Sequence, residues 1–429
     1  MPERPAVALT EASREAVRRR ALLVLSLGQV LGGIGFGSTI SLGAVITERL
    51  TGDDALAGLP TAAVTLGAAL LAVPLASFAS RSGRRPSLAL GMALALAGVV
   101  LVVLGTVLEV FPVLLAAFAL IGAGQAANLQ SRFAATDLAT DRTRGRDLSI
   151  VVWATTLGAV LGPNLIGAGE ELGDALGMPP LTGPYLFTAV AQLLAIVLYL
   201  IALRPDPLLL ARASEAMAAR RSVARGPVAV APSGDRPRAA RYAIVAIAGS
   251  HGVMVSVMAM TPLHLVHHGA ELTVVGLTIS LHIAGMYALS PVFGLLADRL
   301  GRIATILLGQ ALLAASLIVA AFGAESAGAV TLALILLGLG WSAATVAGSA
   351  LLTEASSPEW RTTRQGRSDA IMNLVGAAGA TAAGAVLGLI GYAGLAAGSL
   401  VIVAAVAVSA PLARRPAVAD APTAGRGDA

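Results

Sequence analysis

The 429-residue chain contains no cysteine, which excludes disulfide bonds, thiolate-bound iron–sulfur clusters and thiol catalysis. It contains no lysine either, and arginine alone carries its positive charge. A phosphate-binding loop of the Walker type needs a lysine, so an ATP-driven engine is not expected. The sequence has no HExxH motif and no acidic cluster that would hold a metal. We therefore expect neither a cofactor nor a metal site.

Charged residues are also scarce, at 12% of the chain, against roughly 25% in soluble domains. Hydrophobic residues make up 56% of the chain, and the mean hydropathy is +0.82. This composition predicts an integral membrane protein. The net charge of +5 would indicate a nucleic-acid partner in a soluble protein. Here the arginines are spread over short gaps between apolar segments, so orientation in the membrane and anionic lipid headgroups explain them, and no nucleic-acid partner is expected.

Twelve apolar segments can be drawn along the chain. Each is close to the roughly 20 residues that a helix needs to cross a hydrocarbon core of about 30 Å. The apolar runs are unbroken, which favours helices over the alternating strands of a membrane barrel. The predicted segments are 21–47, 58–80, 87–108, 111–133, 148–169, 183–203, 242–266, 273–296, 303–323, 327–352, 369–391 and 394–412.

The longest gap, 204–241, divides the segments into two sets of six. Its run 226–234 is rich in glycine and proline, as in a flexible linker, and part of 207–222 is expected to form a short surface helix. The predicted organisation is a cytoplasmic tail (1–20), a six-helix bundle (21–203), a cytoplasmic linker (204–241), a second six-helix bundle (242–412) and a cytoplasmic tail (413–429).

Arginine is distributed unevenly over the gaps. Every arginine except Arg49 lies in the two tails or in alternate gaps. The other gaps carry acids instead, namely Glu48, Asp53, Asp54, Glu109, Glu170, Glu171, Asp174, Glu271 and Glu325. Basic side chains are retained on the cytoplasmic side during insertion. The pattern predicts that both termini are cytoplasmic, in a protein of the bacterial cytoplasmic membrane.

An internal repeat links the two sets of segments. The gap sequence 80–84, Ser-Arg-Ser-Gly-Arg, corresponds to Asp-Arg-Leu-Gly-Arg at 298–302. At nearly the same spacing, Gly-Ala-Gly at 122–124 corresponds to Gly-Leu-Gly at 338–340. Two matches at one spacing predict two homologous halves.

The stretch 294–302 resembles the loop signature of the major facilitator superfamily. The positions that match it are Asp298, Arg299, Gly301 and Arg302. The first-half copy contains Arg81, Gly83, Arg84 and Arg85. It departs from the signature because Ser80 stands where the family has aspartate and Ala76 where it has glycine.

Segment 5 contains Gly158, Gly162, Pro163 and Gly167, which resemble the family's antiporter motif with its last glycine pair reduced. Proline removes a backbone donor from the helix and the glycines thin it, so the motif predicts a kink. A kink that serves packing alone is the alternative reading.

The resemblance implies an all-α membrane protein with 12 transmembrane helices in two pseudo-symmetric six-helix bundles. It also places each loop across the bundle interface from an acid at the start of a helix. We expect Arg81 or Arg84 near Asp369, and Arg299 or Arg302 near Asp147, in the state that is closed to the cytoplasm. The alternative is that these arginines only set orientation.

The resemblance further places a substrate cavity between the halves. Polar and aromatic residues of the central segments are candidates to line it, because polar side chains are costly in lipid. The candidates are Gln29, Gln125, Asn128, Thr155, His251, His282, Tyr287, Trp341 and Asn373. Such residues also bond neighbouring helices, which is the alternative for each. Arg132 and Asp137 are expected to form an interfacial salt bridge rather than a substrate clamp.

No acid lies in the middle of a predicted segment, so histidines are the candidates for proton coupling. His251 and His282 each lie about ten residues inside a segment, or about 15 Å deep. Histidine titrates nearest physiological pH, so we predict His282, with His251 as its partner, as the protonation site if transport is proton-coupled. The alternative is that they are neutral and bonded within the bundle. His264, His267 and His268 are expected in a solvated loop.

The sequence thus predicts a secondary active transporter, not an enzyme, that moves a small organic molecule by alternating access. Proton-coupled efflux of a drug or metabolite is the first expectation. An importer or facilitator of a metabolite or vitamin is the alternative, and the run 132–137 resembles bacterial riboflavin-carrier-like members. A non-transporting receptor or scaffold would be expected to carry a soluble signalling domain, and no gap is long enough for one. The expected partners are the substrate, membrane lipids and protons, and the protein is expected to be a monomer.

Overall fold

The computed structural model of the protein describes residues 11–52, 59–224, 235–270 and 272–413. These residues form helices and connecting turns, and no strand occurs among them. The helices are α1 (Glu11–Thr51), α2 (Leu59–Ser82), α3 (Arg84–Leu108), α4 (Phe111–Ala134), α5 (Arg144–Asn164), α6 (Ile166–Ala175), α7 (Pro184–Ala202), α8 (Pro207–Ala224), α9 (Pro237–His267), α10 (Leu272–Tyr287), α11 (Ser290–Leu300), α12 (Arg302–Phe322), α13 (Ala327–Glu354) and α14 (Pro358–Val408), followed by a short 3₁₀ helix, Ala410–Ala413.

The twelve predicted segments correspond to these helices, and the predicted fold class is confirmed. Segments 5 and 8 are each broken once, into α5 and α6 and into α10 and α11. Segments 11 and 12 run together as α14, with a break at Gly391, where φ is 72°. In the described part of the chain nine helical stretches are long and apolar enough to cross a membrane, and Pro358–Ala413 among them holds both last segments.

The helices pack into two bundles with equivalent contacts. In the first, α1 packs on α5, α2 on α4, and α3 on α4. In the second, α9 packs on α14, α10 on α13, and α12 on α13. Each contact of the first bundle therefore has a counterpart one repeat later.

The glycines of the internal repeat occupy equivalent close contacts. A Cβ atom at Gly122 would collide with the backbone of α2, and one at Gly338 would collide with the backbone of α10. Two residues on, Gly124 faces α3 and Gly340 faces α12, again too closely for a Cβ. Small residues let helix backbones approach in a membrane. The sequence repeat therefore marks a packing repeat.

The two loop glycines adopt one conformation. Gly83 has φ 99° and Gly301 has φ 98°. Both values lie in a region that side chains with a Cβ rarely enter, so the tight turn requires glycine. Both loops therefore make the same tight turn.

The linker helix α8 lies against the first loop. The Asp206 carboxylate accepts hydrogen bonds from the backbone N–H of Arg85 (2.7 Å) and of Leu208 (3.0 Å). Gly83 leaves the room for this carboxylate, and the guanidinium of Arg212 donates to the Ser80 carbonyl. Although Ser80 replaces the aspartate of the loop signature, Asp206 brings a carboxylate to the same loop.

The bundle arrangement gives a prediction about orientation. The chain has no cysteine, so a single introduced cysteine reports its own position without background. Ser82 and Glu109 are both exposed, at opposite ends of α3. Because basic loops stay in the cytoplasm, a membrane-impermeant maleimide should label Ser82→Cys in inverted vesicles only and Glu109→Cys in intact cells only. The reverse pattern would show that the arginine-bearing loops face outside.

Candidate functional site

The two bundles are bonded to each other at one end of the molecule. We call this end the arginine-rich face; it carries the loops 80–85, 135–147 and 298–302 and the start of α14. The inter-bundle hydrogen bonds there join Arg84 to Gln365, Arg132 to Asp369, Thr136 to Thr353, Gly145 and Arg146 to Asp298, Ser290 to Ser149, and Arg302 to Asp141. Away from this face, Thr261, His264 and His251 are bonded to Tyr392, Ala324 and Trp341, and these bonds stay within the second bundle. The bundles are therefore closed at the arginine-rich face.

One of these contacts is the buried ion pair of Arg132 and Asp369. Their side chains are 3% and 0% exposed. Asp369 lies about three turns inside α14, because that helix begins at Pro358. Segment 11 is predicted to begin at Asp369, whereas the helix that carries it begins at Pro358, about three turns before the apolar run. The second oxygen of Asp369 has no partner among the described residues, so the pair is not fully compensated.

Arg84 forms a second buried network on the same face. It donates to both carboxylate oxygens of Asp137, at 2.8 and 3.1 Å, in the two-pronged geometry that arginine favours. It also donates to Gln365 of the second bundle at 2.7 Å. Arg84 is expected near Asp369: it lies close enough to interact electrostatically with Asp369, but its hydrogen bond to α14 is made to Gln365, one turn earlier. The expected salt bridge between Arg132 and Asp137 is wrong, because Arg132 pairs with Asp369 across the bundles and Asp137 pairs with Arg84 within the first bundle.

The second-half loop contacts the first bundle through Asp298 and through Arg302, which donates to the Asp141 carbonyl at 2.6 Å. The two oxygens of Asp298 accept the backbone N–H groups of Gly145 and Arg146, both at 2.9 Å. These groups belong to the first turn of α5, where a carboxylate is favoured by the helix dipole. The expected contact of Arg299 or Arg302 with Asp147 is wrong.

The other loop residues have separate positions. Asp147 binds Arg18 of α1. Arg302 bonds Asp298 at 2.5 Å. Arg81 and Arg299 are exposed.

An aromatic cluster lies in the second bundle on α9, α10 and α13. The indole N–H of Trp341 donates to Nδ1 of His251 at 3.0 Å, and the ring of Tyr287 meets that of Trp341 edge-on at 5.8 Å. Tyr287 also packs against a cluster made by Leu148 and Val152 of α5 and Val346 of α13. The cluster thus joins three of the predicted cavity candidates at the bundle interface.

His251 and His282 do not form a bonded pair. Nδ1 of His282 donates to the carbonyl of Leu334 at 2.8 Å, whereas His251 bonds Trp341. Leu334 and Trp341 lie about two turns, or roughly 10 Å, apart along α13. Nδ1 of His251 accepts a proton donor, so protonating this nitrogen requires that the bond to Trp341 break. The two histidines remain separate candidates for protonation.

His264 is not in a solvated loop, contrary to expectation. It is 6% exposed within α9, bonds the carbonyl of Ala324 at 2.7 Å and stacks on Tyr392 at 4.2 Å. The side chain of His264 therefore points into the bundle near the end of α9, while His267 and His268 are exposed.

The remaining cavity candidates lie on four helices. Gln29 is buried on α1, and Gln125 and Asn128 are half-buried on α4. Thr155 is half-buried on α5, apart from the aromatic cluster. Asn373 donates to the carbonyl of Asp369 at 2.8 Å and so supports the turn of α14 that carries the ion pair.

The motif of segment 5 coincides with the break between α5 and α6. α5 ends at Asn164, directly after Pro163, and α6 begins at Ile166. The backbone N–H of Leu165 bonds the carbonyl of Gly162 at 3.1 Å. Gly158 packs against the α1 backbone too closely for a Cβ, whereas Gly167 faces open space. The predicted kink is present, and Gly158 provides close packing.

Comparisons with known proteins agree with this architecture. The sequence profile of the Major Facilitator Superfamily matches residues 25–272 and 243–428. The chain is 38% identical over 371 residues to the uncharacterized MFS-type transporter YddS of Bacillus subtilis (strain 168), covering 86% of this chain and 85% of YddS. It is 32% identical over 363 residues to the riboflavin transporter RfnT of Brucella anthropi, covering 82% and 85% of the two chains. The crystal structure of the human organic anion transporter MFSD10 superposes with a TM-score of 0.73 at 18% identity, over 92% of this chain and 99% of that one.

The contacts at the arginine-rich face generate a prediction. Asp298→Lys or Asp369→Arg should lower transport at least several-fold while the protein still inserts and folds, because each contact favours one conformer rather than holding a bundle together. Breaking a buried pair costs about 3–5 kcal/mol, enough to move a two-state equilibrium.

Transport into proteoliposomes, with membrane yield measured in parallel, checks this result. Glu171→Lys, a charge reversal at an exposed acid of α6, is the matched control and should transport normally. Wild-type rates in both face variants would contradict a conformational role.

Proposed function

Because the chain belongs to the major facilitator superfamily, whose members are transporters rather than enzymes, we propose that it is a secondary active transporter of a small organic molecule. It works by alternating access between two bundles. The observation that carries the proposal is the gathering of the inter-bundle bonds at the arginine-rich face, around the buried pair of Arg132 and Asp369. If that face is cytoplasmic, as the arginine distribution predicts, this conformer is closed to the cytoplasm.

The ion pair supplies a physical basis for switching. Opening the arginine-rich face separates Arg132 on α4 from Asp369 on α14, and each charge then needs another partner or water. A proton on Asp369 removes one of the two charges and so lowers the cost of separation. A substrate that competes for Arg132 has the same effect. Asp369 therefore joins His251 and His282 as a candidate for proton coupling.

Efflux of a drug or metabolite is the first candidate for direction. It is supported by the segment 5 motif and the helix break that the motif produces beside Gly162. The choice of efflux rests on the resemblance of this motif to the family's antiporter motif. The fold itself serves transport in either direction.

Uptake of a vitamin is the second candidate. The specific observation that favours it is the 32% identity to the riboflavin transporter RfnT, which extends over 82% of this chain. The aromatic cluster of His251, Tyr287 and Trp341 would suit a planar ring, since aromatic side chains stack on such rings.

Counterflow in proteoliposomes tests the transport function. Vesicles preloaded with unlabelled compound should accumulate the labelled compound transiently, without any ion gradient, for at least one member of a drug and metabolite panel that includes riboflavin. Counterflow needs only alternating access, so it is independent of coupling and direction. Failure across the panel, with protein shown to be folded, would count against the proposal.

Proton coupling is tested separately with neutral variants. Under an imposed pH gradient, Asp369→Asn should lose gradient-driven accumulation about tenfold or more yet keep counterflow, because it cannot exchange a proton. His251→Gln and His282→Gln test the histidine candidates in the same assay. If all three variants retain the wild-type accumulation and pH profile, these groups do not couple transport to protons.

A further inference from the structure

A small polar cavity lies inside the first bundle, between α1, α3, α4 and α7. Its volume is about 10 Å³, which admits one water-sized group. Three primary amides face it, Gln125, Asn128 and Gln192, together with Gly32, Met92 and Ile121. Gln192 was not among the residues that the sequence singled out, since α7 is not one of the helices expected to line the cavity.

The amides present unsatisfied acceptors to this cavity. The side-chain oxygens of Gln125, Asn128 and Gln192 are buried and accept no hydrogen bond from the residues that the structure describes. Gln192 is only 4% exposed. Buried carbonyl oxygens without donors are unfavourable and uncommon. The cavity is therefore suited to a group that donates hydrogen bonds.

Gly32 gives the cavity its α1 wall. A Cβ atom at this position would overlap the carboxamide of Asn128. The glycine thus lets the amide lie directly against the backbone of α1, which fixes where its oxygen and nitrogen are presented.

The amides are aligned with the inter-bundle ion pair. Gln125, Asn128 and Arg132 follow one another at spacings of three and four residues on α4, so they share one face of that helix. Arg132 bonds Asp369 of the second bundle. A group held by the amides is consequently within about two helical turns of the pair that closes the arginine-rich face.

We propose that this cavity, the amide subsite, binds an N–H edge of the transported molecule, and that the substrate is an uncharged planar heterocycle with an amide or imide N–H. This inference rests on the proposed transport function and specifies its substrate class. Carboxamides also donate, so they can pair with a neighbouring carbonyl on the same ring edge. None of the described residues that line the cavity is an acid or a base, which disfavours a cation or a carboxylate there. Tyr287 and Trp341 supply aromatic surfaces at the bundle interface for the ring.

Equilibrium binding to purified protein in nanodiscs tests the substrate class without requiring transport. Trp153 and Trp360 are 40% and 51% exposed, so replacing both with phenylalanine leaves Trp341 as a fluorescence reporter. The probes are riboflavin, uracil and xanthine, each compared with a derivative methylated on its imide nitrogen, and benzoate as an anion. We expect at least one N–H probe to bind about tenfold more tightly than its methylated derivative, the equivalent of one hydrogen bond.

Variants of the amide subsite then test whether these residues cause the preference for the N–H probe over its methylated derivative. Gln125→Ala, Asn128→Ala, Gln192→Ala and Gly32→Ala should each reduce the preference for the N–H probe toward one. Gln310→Ala is the matched control, because Gln310 is another buried glutamine with an unpartnered oxygen but donates to Ser250 on the far side of the second bundle. It should leave the preference unchanged.

Each other result overturns the inference. If methylation has no effect, or if the amide variants keep the preference, the cavity holds water only. If benzoate binds and the N–H probes do not, the substrate class is wrong. If no probe binds while counterflow of another compound is observed, the amide subsite falls and the transport function stands. If counterflow is also absent for the whole panel, both fall.

Discussion

Charge burial between the two bundles is the constraint on which the rest of the structure depends. Arg132, Asp369, Arg84 and Asp137 are all at most 5% exposed, so their charges are withdrawn from water, and a charge buried in this way is costly without a partner. Each charge is tolerated only while its partner stays in place. Arg132 and Asp369 lie on different bundles. Because each buried charge needs the other, the pair favours the arrangement of the two bundles that is closed at the arginine-rich face.

The pseudo-symmetry of the bundles shows how a repeated sequence gives unequal halves. Packing glycines such as Gly122 and Gly338 make the same contacts in each half, as expected of residues whose only property is size. The polar residues diverge. The first bundle carries primary amides and Arg132, while the second carries the aromatic cluster and Asp369. The helix-packing contacts are thus the same in the two repeats, whereas the polar and aromatic residues differ between them.

The fold could be predicted from the sequence because a bilayer imposes simple rules. Apolar length gave the segments, arginine distribution gave a predicted orientation, and the repeated glycines gave the two halves. The candidate site was harder to predict for two reasons. Helix α14 extends from Pro358, well before its apolar run, so apolarity alone did not indicate where the helix that carries Asp369 begins. Which of Arg84, Arg132, Asp137 and Asp369 pair with one another depends on shifts of about one helical turn between neighbouring helices. Such shifts cannot be read from a single sequence. Asp137 is a near neighbour of Arg132 in sequence, yet it pairs with Arg84.

The contact between Asp298 and α5 differs in kind from the other contacts of the arginine-rich face. Its acceptors meet backbone N–H groups, which every residue except proline possesses. Position 146 can therefore drift among most amino acids without loss of this bond, whereas position 145 cannot, because a Cβ there would crowd Gly294 and Asp298. Substitution at this contact is therefore constrained unevenly. Asp298 and Gly145 are restricted to aspartate and glycine, whereas position 146 can carry a side chain that serves another purpose.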